Sequence, residues 1–233
     1  MGRVQAILPR RANRRRSACI TPPRLPPFQG GESMTIALID YGAGNLHSVH
    51  NALKAAGAAD VAVTADPQAV LGADRVVLPG VGAFGACAAG LRAIPGMVEA
   101  LHERVRRQGA PFLGVCVGMQ LMADAGEEMG SHPGLGWIPG TVRAIAPAPG
   151  IRVPHMGWND VVPTLSHSLI EPGQAYFLHS FAFTGDAVLA TTDHGGPVTA
   201  AIGRDNMIGV QFHPEKSQRY GIALMERFLA WRP

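Results

Sequence analysis

Residues 110–122 constrain this chain more than any other segment, because they read as a buried strand that runs directly into a helix. Their centre, Gly114-Val115-Cys116-Val117-Gly118, has the G-x-nucleophile-x-G pattern of a nucleophile elbow, with cysteine where hydrolases carry serine. The glycines let the strand and helix pack closely, and the helix N-terminus favours the thiolate form of cysteine. The pattern makes Cys116 a candidate nucleophile; the alternative is a buried structural cysteine at a turn.

A base for this nucleophile is expected from His213-Pro214-Glu215, near the C-terminus. In an extended segment, side chains two residues apart point to the same face, so we expect Glu215 to lie beside His213 and hold one ring nitrogen. Pro214 removes a backbone donor and should end the strand there. Cys116, His213 and Glu215 are therefore predicted to form a catalytic triad.

Acyl transfer also needs an oxyanion hole, and the backbone N–H of Val117, directly after the nucleophile, is one candidate donor. A second donor is expected from the loop Gly80-Val81-Gly82, which follows an apolar strand predicted over residues 76–78. Glycines permit the backbone angles that aim an N–H group at a site. The alternative for this loop is an ordinary turn at a strand end.

These segments together resemble the class I (triad-type) glutamine amidotransferases: Pro79-Gly80-Val81-Gly82, Gly114-Val115-Cys116-Val117-Gly118-Met119-Gln120 and His213-Pro214-Glu215-Lys216-Ser217. The match is closest to the glutaminase subunits of imidazole glycerol phosphate synthase, because three further segments agree: Asp40-Tyr41-Gly42-Ala43-Gly44-Asn45-Leu46, Pro154-His155-Met156-Gly157-Trp158-Asn159 and Phe177-Leu178-His179-Ser180-Phe181. The six motifs occur in the family's order, from about Met34 to the C-terminus.

The resemblance implies a glutaminase. The Cys116 thiolate would attack the side-chain amide of glutamine, ammonia would leave, and water would hydrolyse the glutamyl thioester to glutamate. His213 would act as general base and then as acid, oriented by Glu215. Gln120 and the backbone of His179-Ser180-Phe181 would help to hold the substrate.

The resemblance also implies a partner, a separate (β/α)₈ cyclase subunit that receives the ammonia. That subunit makes imidazole glycerol phosphate and aminoimidazole carboxamide ribonucleotide in histidine biosynthesis. Asn45, Trp158 and Lys216 would lie on the face that meets the barrel; the alternative for Trp158 is a partly buried core position. The family often has Tyr where this chain has Phe181, so a backbone contact there would persist, whereas a hydroxyl contact to the partner would be lost.

Three other functions remain open from the sequence. The glutaminase subunit of pyridoxal phosphate synthase also serves a barrel partner, although the oxyanion loop and residues 154–159 argue against it. A cysteine peptidase or deglycase would share the elbow without needing Gln120 or the His-Pro-Glu segment. A scaffold without catalytic activity would not need all three triad positions to be filled.

Strand and helix patterns alternate in the first part of the chain, which predicts an α/β fold: an open, mostly parallel sheet with helices on both faces. By resemblance this is the flavodoxin-like fold of class I glutamine amidotransferases. From Trp137 to Gln211 proline, glycine and β-branched residues dominate, so we expect additional short strands, some antiparallel. Open α/β sheets bind ligands at the carboxyl ends of their strands, where the proposed site residues fall.

The net charge of +3 is unevenly distributed. Residues 1–33 hold seven Arg and one Glu, whereas the remainder carries more acid than base, which gives no reason to expect a nucleic-acid partner. We expect residues 1–33 to be a disordered Arg/Pro-rich extension and residues 34–233 to form one amidotransferase domain. The extension could be a transit peptide, a nucleic-acid arm or untranslated sequence before Met34; we favour the last.

Histidine and cysteine positions argue against metal and disulfide chemistry. The nine His are scattered, with no cluster at metal-ligand spacing, and we expect neither a metal ion nor a cofactor. Two of the three cysteines, Cys87 and Cys116, lie in the domain, which fits a reducing cytoplasm that keeps Cys116 free. No apolar run approaches the length of a membrane span, so we expect no membrane association.

Overall fold

The computed structural model describes residues 34–233. The predicted disordered extension over residues 1–33 lies outside the described residues. Within residues 34–233, the strands form one nine-stranded sheet and one four-stranded sheet. The helices and the larger sheet position the candidate site.

The first half of the described chain alternates between strand and helix, as the sequence predicts. Its strands are β1 (Thr35–Ile39), β2 (Asp60–Thr64), β3 (Arg75–Leu78) and β4 (Phe112–Val115), and its helices are α1 (Leu46–Ala55), α2 (Pro67–Gly72), α3 (Phe84–Ala93), α4 (Met97–Leu101) and α5 (Val117–Gln120). Every residue of β3 and β4 is buried, as expected for strands covered on both faces.

The helical segment that precedes β4 is not α-helical throughout, because α4 continues as a π-helical segment, His102–Arg107. The buried side chain of Asn206 donates to the carbonyls of Val105 and Ala110 at 2.8 and 2.7 Å. These bonds satisfy carbonyl groups near the widened end of the helix. The contact joins residues about a hundred positions apart, which helical periodicity does not reveal.

The second half is mostly strand. It contains β5 (Ala125–Glu127), β6 (Ser131–Pro133), β7 (Gly140–Ala144), β8 (His155–Pro163), β9 (Gly173–His179), β10 (Phe181–Gly185), β11 (Val188–Asp193), β12 (Pro197–Arg204) and β13 (Met207–Val210). A 3₁₀ helix, Pro214–Lys216, and the helix α6 (Gln218–Ala230) close the chain. The change in composition after Trp137 therefore does mark a change in structure.

The larger sheet has the strand order β2-β1-β3-β4-β13-β12-β11-β8-β9. Neighbouring strands are parallel from β2 to β13 and antiparallel from β13 to β9. The smaller sheet has the order β10-β7-β5-β6. The prediction of a parallel core with added antiparallel strands is confirmed.

The helices form two groups whose members contact one another. Helix α1 contacts α6, and α4 contacts α2 and α3. The connection from β1 to β2 moves in one direction across the sheet. The connections from β2 to β3 and from β3 to β4 move in the opposite direction. Right-handed crossovers then place α1 on one face and α2 to α4 on the opposite face. Helices therefore cover both faces of the parallel part.

Helix α6 packs on the sheet through an apolar stripe. Leu224 and Phe228 are buried, and Trp231 just after the helix is nearly so. Arg75 at the start of β3 is buried too, and its guanidinium donates to the carbonyls of Leu229 and Trp231. These bonds satisfy carbonyl groups at the helix end and fix α6 against the parallel core.

Among residues 34–233, no single helix has the length and apolar character needed to cross a membrane. The pair Phe84–Ala93 and Met97–Arg107 meets the criteria of length and composition together, but it is bent by 95°. Its apolar side chains are largely buried within the protein.

Candidate active site

Cys116 lies between β4 and α5 in the conformation that the elbow pattern predicts. Its backbone angles, φ 54° and ψ −112°, are rare for a residue with a side chain. A Cβ atom on Gly118 would overlap the carbonyl of Leu78, and one on Gly114 would lie 2.7 Å from the Gly118 carbonyl oxygen. Both glycines are therefore required by close packing, and the sharp turn is held by its surroundings.

The parallel pairing of β4 with β13 brings the base to the nucleophile. Val115 pairs with Val210, and the Cys116 N–H donates to the Val210 carbonyl at 2.8 Å. Three residues after β13 ends, the imidazole of His213 lies beside Cys116, close enough for Cys116 to raise the pKa of the ring, and both residues line the same cavity. Residues from the middle and from the C-terminal part of the domain thus meet at the carboxyl edge of the sheet.

Glu215 lies beside His213, as predicted, with 2.8 Å between Nδ1 and Oε1. The reason given from the sequence is wrong, because the two residues do not alternate along a strand. Strand β13 ends at Val210, and Glu215 belongs to the 3₁₀ helix that begins at Pro214. The turn folds Glu215 back under the ring, where both side chains are almost fully buried.

Burial alone would lower the pKa of His213, because a charged ring is poorly solvated inside the protein. Hydrogen bonds and charges from Cys116 and Glu215 outweigh burial and raise the pKa from 6.5 to about 9. An imidazolium is therefore the favoured form of His213 near neutral pH, which suits it as the partner of a thiolate.

The two candidate oxyanion donors lie next to each other but do not form a hole in this conformation. The Val117 N–H, the first candidate, donates to the carbonyl of Gly80 at 3.3 Å. Hydrogen bonds also hold the neighbouring carbonyls, Pro79 from the Tyr41 hydroxyl at 2.7 Å and Val81 from the Cys87 thiol at 3.4 Å. The loop thus presents a carbonyl where an anion would need a donor.

A cavity of about 300 Å³ opens beside Cys116, which is at the small end for ligand sites. All of the residues predicted to touch substrate line it, as do most of the oxyanion loop and Lys216: Val81, Gly82, Cys116, Val117, Gln120, His179, Ser180, Phe181, His213 and Lys216. The lining residues that sequence reasoning missed are Glu128, Pro154 and Leu178.

Of the missed residues, Glu128 is the one carboxylate that residues 34–233 contribute to the lining. It lies in the turn between β5 and β6, and its Oε2 accepts from the Phe84 N–H at 2.7 Å. No motif surrounds Glu128 in the sequence. Pro154 and Leu178 lie within the segments 154–159 and 177–181, so the resemblance contained a signal for these two.

The wall formed by residues 179–181 is fixed by neutral histidines. The His179 ring donates from Nδ1 to the Phe181 carbonyl at 2.9 Å, so its Nε2 accepts, at 3.0 Å, from Nδ1 of His155. Burial lowers the pKa of each ring to about 4, which keeps both neutral at physiological pH. The backbone carbonyl of Phe181 therefore has a fixed direction.

The three candidate interface residues are exposed. Asn45 caps α1 by accepting from the Ser48 N–H at 3.4 Å. Trp158 is 48 % exposed and contacts Tyr176 at its edge, and the Lys216 ammonium lies over the same Tyr176 ring. The exposure of Trp158 argues against the alternative of a partly buried core position.

Exposed apolar side chains border the cavity. Met156 and Trp158 point to the same face of β8, because they are two residues apart, and they are 64 % and 48 % exposed. Leu178, opposite Met156 on β9, is also exposed and lines the cavity. Exposed apolar side chains grouped beside a site are typical of a docking surface.

Comparison with known proteins agrees with this geometry. A family model described as glutamine amidotransferase class-I matches residues 37–230. Two relatives are imidazole glycerol phosphate synthase subunits HisH, from Zymomonas mobilis and Rhodospirillum rubrum. The chain is 61% identical to the first over 86% of its own length and 98% of the relative's, and 56% identical to the second over 86% and 100%.

Solved structures show the same fold at low identity. A crystal structure of a glutamine amidotransferase superposes with a TM-score of 0.66 at 20% identity, covering 83% of this chain and 97% of that one. The structure of PurLQS from Thermotoga maritima gives 0.65 at 15% identity, covering 85% and 99%. The family match and the identity to the two relatives together show that the chain belongs to the class-I glutamine amidotransferases and, among them, to the HisH subunits of imidazole glycerol phosphate synthase.

Proposed function

We propose that this chain hydrolyses glutamine to glutamate and ammonia and delivers the ammonia to a separate (β/α)₈ cyclase subunit in histidine biosynthesis. The observation that carries the proposal is the contact of Cys116 with His213, and of His213 with Glu215, at the wall of a cavity. The HisH relatives favour this function over a pyridoxal phosphate synthase glutaminase and over a peptidase or deglycase.

The triad supplies each proton transfer of the reaction. Transfer of the thiol proton to His213 forms a thiolate–imidazolium pair, and the Cys116 sulfur attacks the amide carbon of glutamine. As the tetrahedral intermediate collapses, the imidazolium gives the proton to the nitrogen, and ammonia leaves a glutamyl thioester. His213 then takes a proton from water, which attacks the thioester and releases glutamate, and the proton returns to the sulfur. Glu215 holds the ring throughout.

The cavity offers groups for both ends of glutamine. The α-ammonium of the substrate needs an anion, and Glu128 is the carboxylate among the lining residues. Gln120 has both N–H groups committed, to the carbonyl of Phe181 at 3.0 Å and to Gln211 at 2.9 Å. Its Oε1 is therefore the atom that Gln120 offers to a donor on the substrate.

The oxyanion loop explains why a partner would control the rate. Val117 can donate to an anion only after the Gly80 carbonyl turns away, and rotation of the peptide between Gly80 and Val81 would replace that carbonyl with the Val81 N–H. Val81 is 42 % exposed at the cavity mouth, within reach of a docked subunit. We infer that the cyclase docks on the face with Asn45, Trp158 and Lys216 and favours this rotation.

The cysteines support a cytoplasmic location. Cys87 and Cys116 are both free in the described part of the chain. A nucleophilic thiol persists in a reducing compartment and would be at risk of oxidation elsewhere.

The variant Cys116→Ala tests the nucleophile. With the cyclase bound, glutamine-dependent synthesis should fall by about 10⁴-fold or more, because the covalent route is lost. Synthesis supplied with free ammonia should stay at the wild-type rate, since the cyclase reaction does not use the sulfur. Loss of both activities would mean that Cys116 is structural and would contradict the proposal.

The variant Glu215→Gln tests the imidazolium. Glu215 helps to raise the pKa of His213 to about 9, so the variant should shift the alkaline limb of the glutaminase pH profile to lower pH. The stabilisation by charged His213 is full below pH 6.5 and is lost as pH rises through about 9, so the variant's stability deficit should shrink over that range. Glutaminase assays and chemical denaturation from pH 6 to 10 would measure both effects.

The matched control for that variant is Glu226→Gln, which makes the same charge change at an exposed position on α6. Its pH profile and its pH-dependent stability should follow the wild type. An unchanged alkaline limb in Glu215→Gln would show that Glu215 does not support the charge of His213.

The free chain should hydrolyse glutamine slowly, and the rate should rise by about 10²-fold or more when the cyclase and its nucleotide bind. Removal of one oxyanion donor typically lowers kcat by about that factor. Steady-state kcat for glutamate release, with and without partner, measures this. Equal rates in the two states would show that the Gly80 carbonyl does not limit the free chain.

A further inference from the structure

Gln211 is a buried residue that the triad mechanism does not use. It follows β13 directly, is wholly buried, and donates through its backbone N–H to the Ala200 carbonyl at 2.9 Å. Its side-chain Nε2 lies 3.6 Å from the Sγ atom of Cys116. A buried polar side chain in contact with the nucleophile can form a hydrogen bond with the sulfur directly.

The direction of the Gln211 amide follows from its neighbours. The Phe181 carbonyl can only accept, so Gln120 must turn its Nε2 toward it, at 3.0 Å. The same Nε2 then donates to Gln211 at 2.9 Å, which requires Oε1 of Gln211 on that side. The N–H groups of Gln211 must therefore face the sulfur. A flip of the Gln120 amide would place two oxygens against each other, and a flip of the Gln211 amide would place two NH₂ groups against each other.

The starting point of this chain of bonds is itself fixed. The Phe181 carbonyl also accepts from Nδ1 of His179, which in turn accepts at Nε2 from His155. The Phe181 carbonyl thus accepts from both Gln120 and His179, and a carbonyl oxygen cannot act as a donor. The structure thus dictates that a neutral N–H donor points at Cys116.

We propose that Gln211 donates a hydrogen bond to the Cys116 sulfur and stabilises its thiolate, with Gln120 acting as the positioning residue that orients Gln211. This inference rests on the proposed function, because it assumes that Cys116 is the nucleophile. A thiol is a weak acceptor and a thiolate a strong one, so the bond favours the ionised form. The donor is uncharged and does not titrate, unlike His213.

The variant Gln211→Met tests the donor, since it keeps the length of the side chain and removes the N–H. Alkylation of Cys116 by iodoacetamide, followed by peptide mass spectrometry in the full chain between pH 6 and 9, reports the reactive thiolate. The rate near pH 7 should fall about tenfold, and the rise of rate with pH should move to higher pH. Circular dichroism and ammonia-dependent synthesis with the cyclase confirm the fold.

Thr199→Val is the matched control. Thr199 lies on the neighbouring strand β12, and its hydroxyl donates to the Phe183 carbonyl at 2.7 Å without touching the sulfur. The variant loses one buried hydrogen bond, as Gln211→Met does, and its alkylation profile should match the wild type. Equal slowing in both variants would assign the effect to general destabilisation and overturn the proposal.

The variant Gln211→Glu gives an independent signature. Its carboxyl group can still accept from Gln120, but once ionised it places a negative charge against the thiolate. The ratio of its alkylation rate to that of the wild type should therefore fall as pH rises. A flat ratio, or a wild-type profile for Gln211→Met, overturns the role of Gln211, whereas failure of Cys116 to react in the wild type overturns the proposed function.

Discussion

The parallel pairing of β4 with β13 is the constraint on which the site depends. Two strands separated by about 95 residues in sequence end side by side, so that Cys116 after β4 meets Gln211 and His213 after β13. A slip of the register would move the imidazole away from the sulfur. The buried apolar residues of both strands fix that register, which makes the hydrophobic core the first determinant of the chemistry.

The site is assembled to different degrees in its different parts. The nucleophile, its base and the orienting carboxylate are already in contact, and Cys116 is held in a rare backbone conformation by tight packing around Gly114 and Gly118. The oxyanion hole is not assembled, because the Val117 N–H donates to the Gly80 carbonyl and is not free to bind an anion. This arrangement suits an enzyme that supplies ammonia to a partner. A complete triad without an oxyanion hole hydrolyses little glutamine while the partner is absent.

Sequence reasoning found the parts of the site that depend on local patterns. The elbow, the strands that border it and the neighbourhood of His213 and Glu215 follow from short motifs and apolar runs. The contact of His213 with Glu215 came from a 3₁₀ turn rather than from strand alternation, because the strand ends three residues before His213. Local patterns give the neighbours but not the turn that joins them.

What the sequence did not show are contacts between distant segments. Glu128 reaches the cavity from a turn without a motif, and the direction of the Gln211 amide depends on a carbonyl at residue 181. Likewise, a Gly-Val-Gly loop indicates backbone freedom but not whether a carbonyl or an N–H faces the site. Such features depend on tertiary packing, and three-dimensional coordinates are needed to see them.

The most direct test is covalent labelling with a diazo-ketone analogue of glutamine, in the presence of the cyclase, followed by mass spectrometry of peptides. The Cys116–His213 pair should direct the reagent to Cys116 alone, and excess glutamine should slow the labelling because both ligands use the same cavity. An adduct on Cys87 instead of Cys116, or no adduct on the chain, would contradict a nucleophile activated at the elbow.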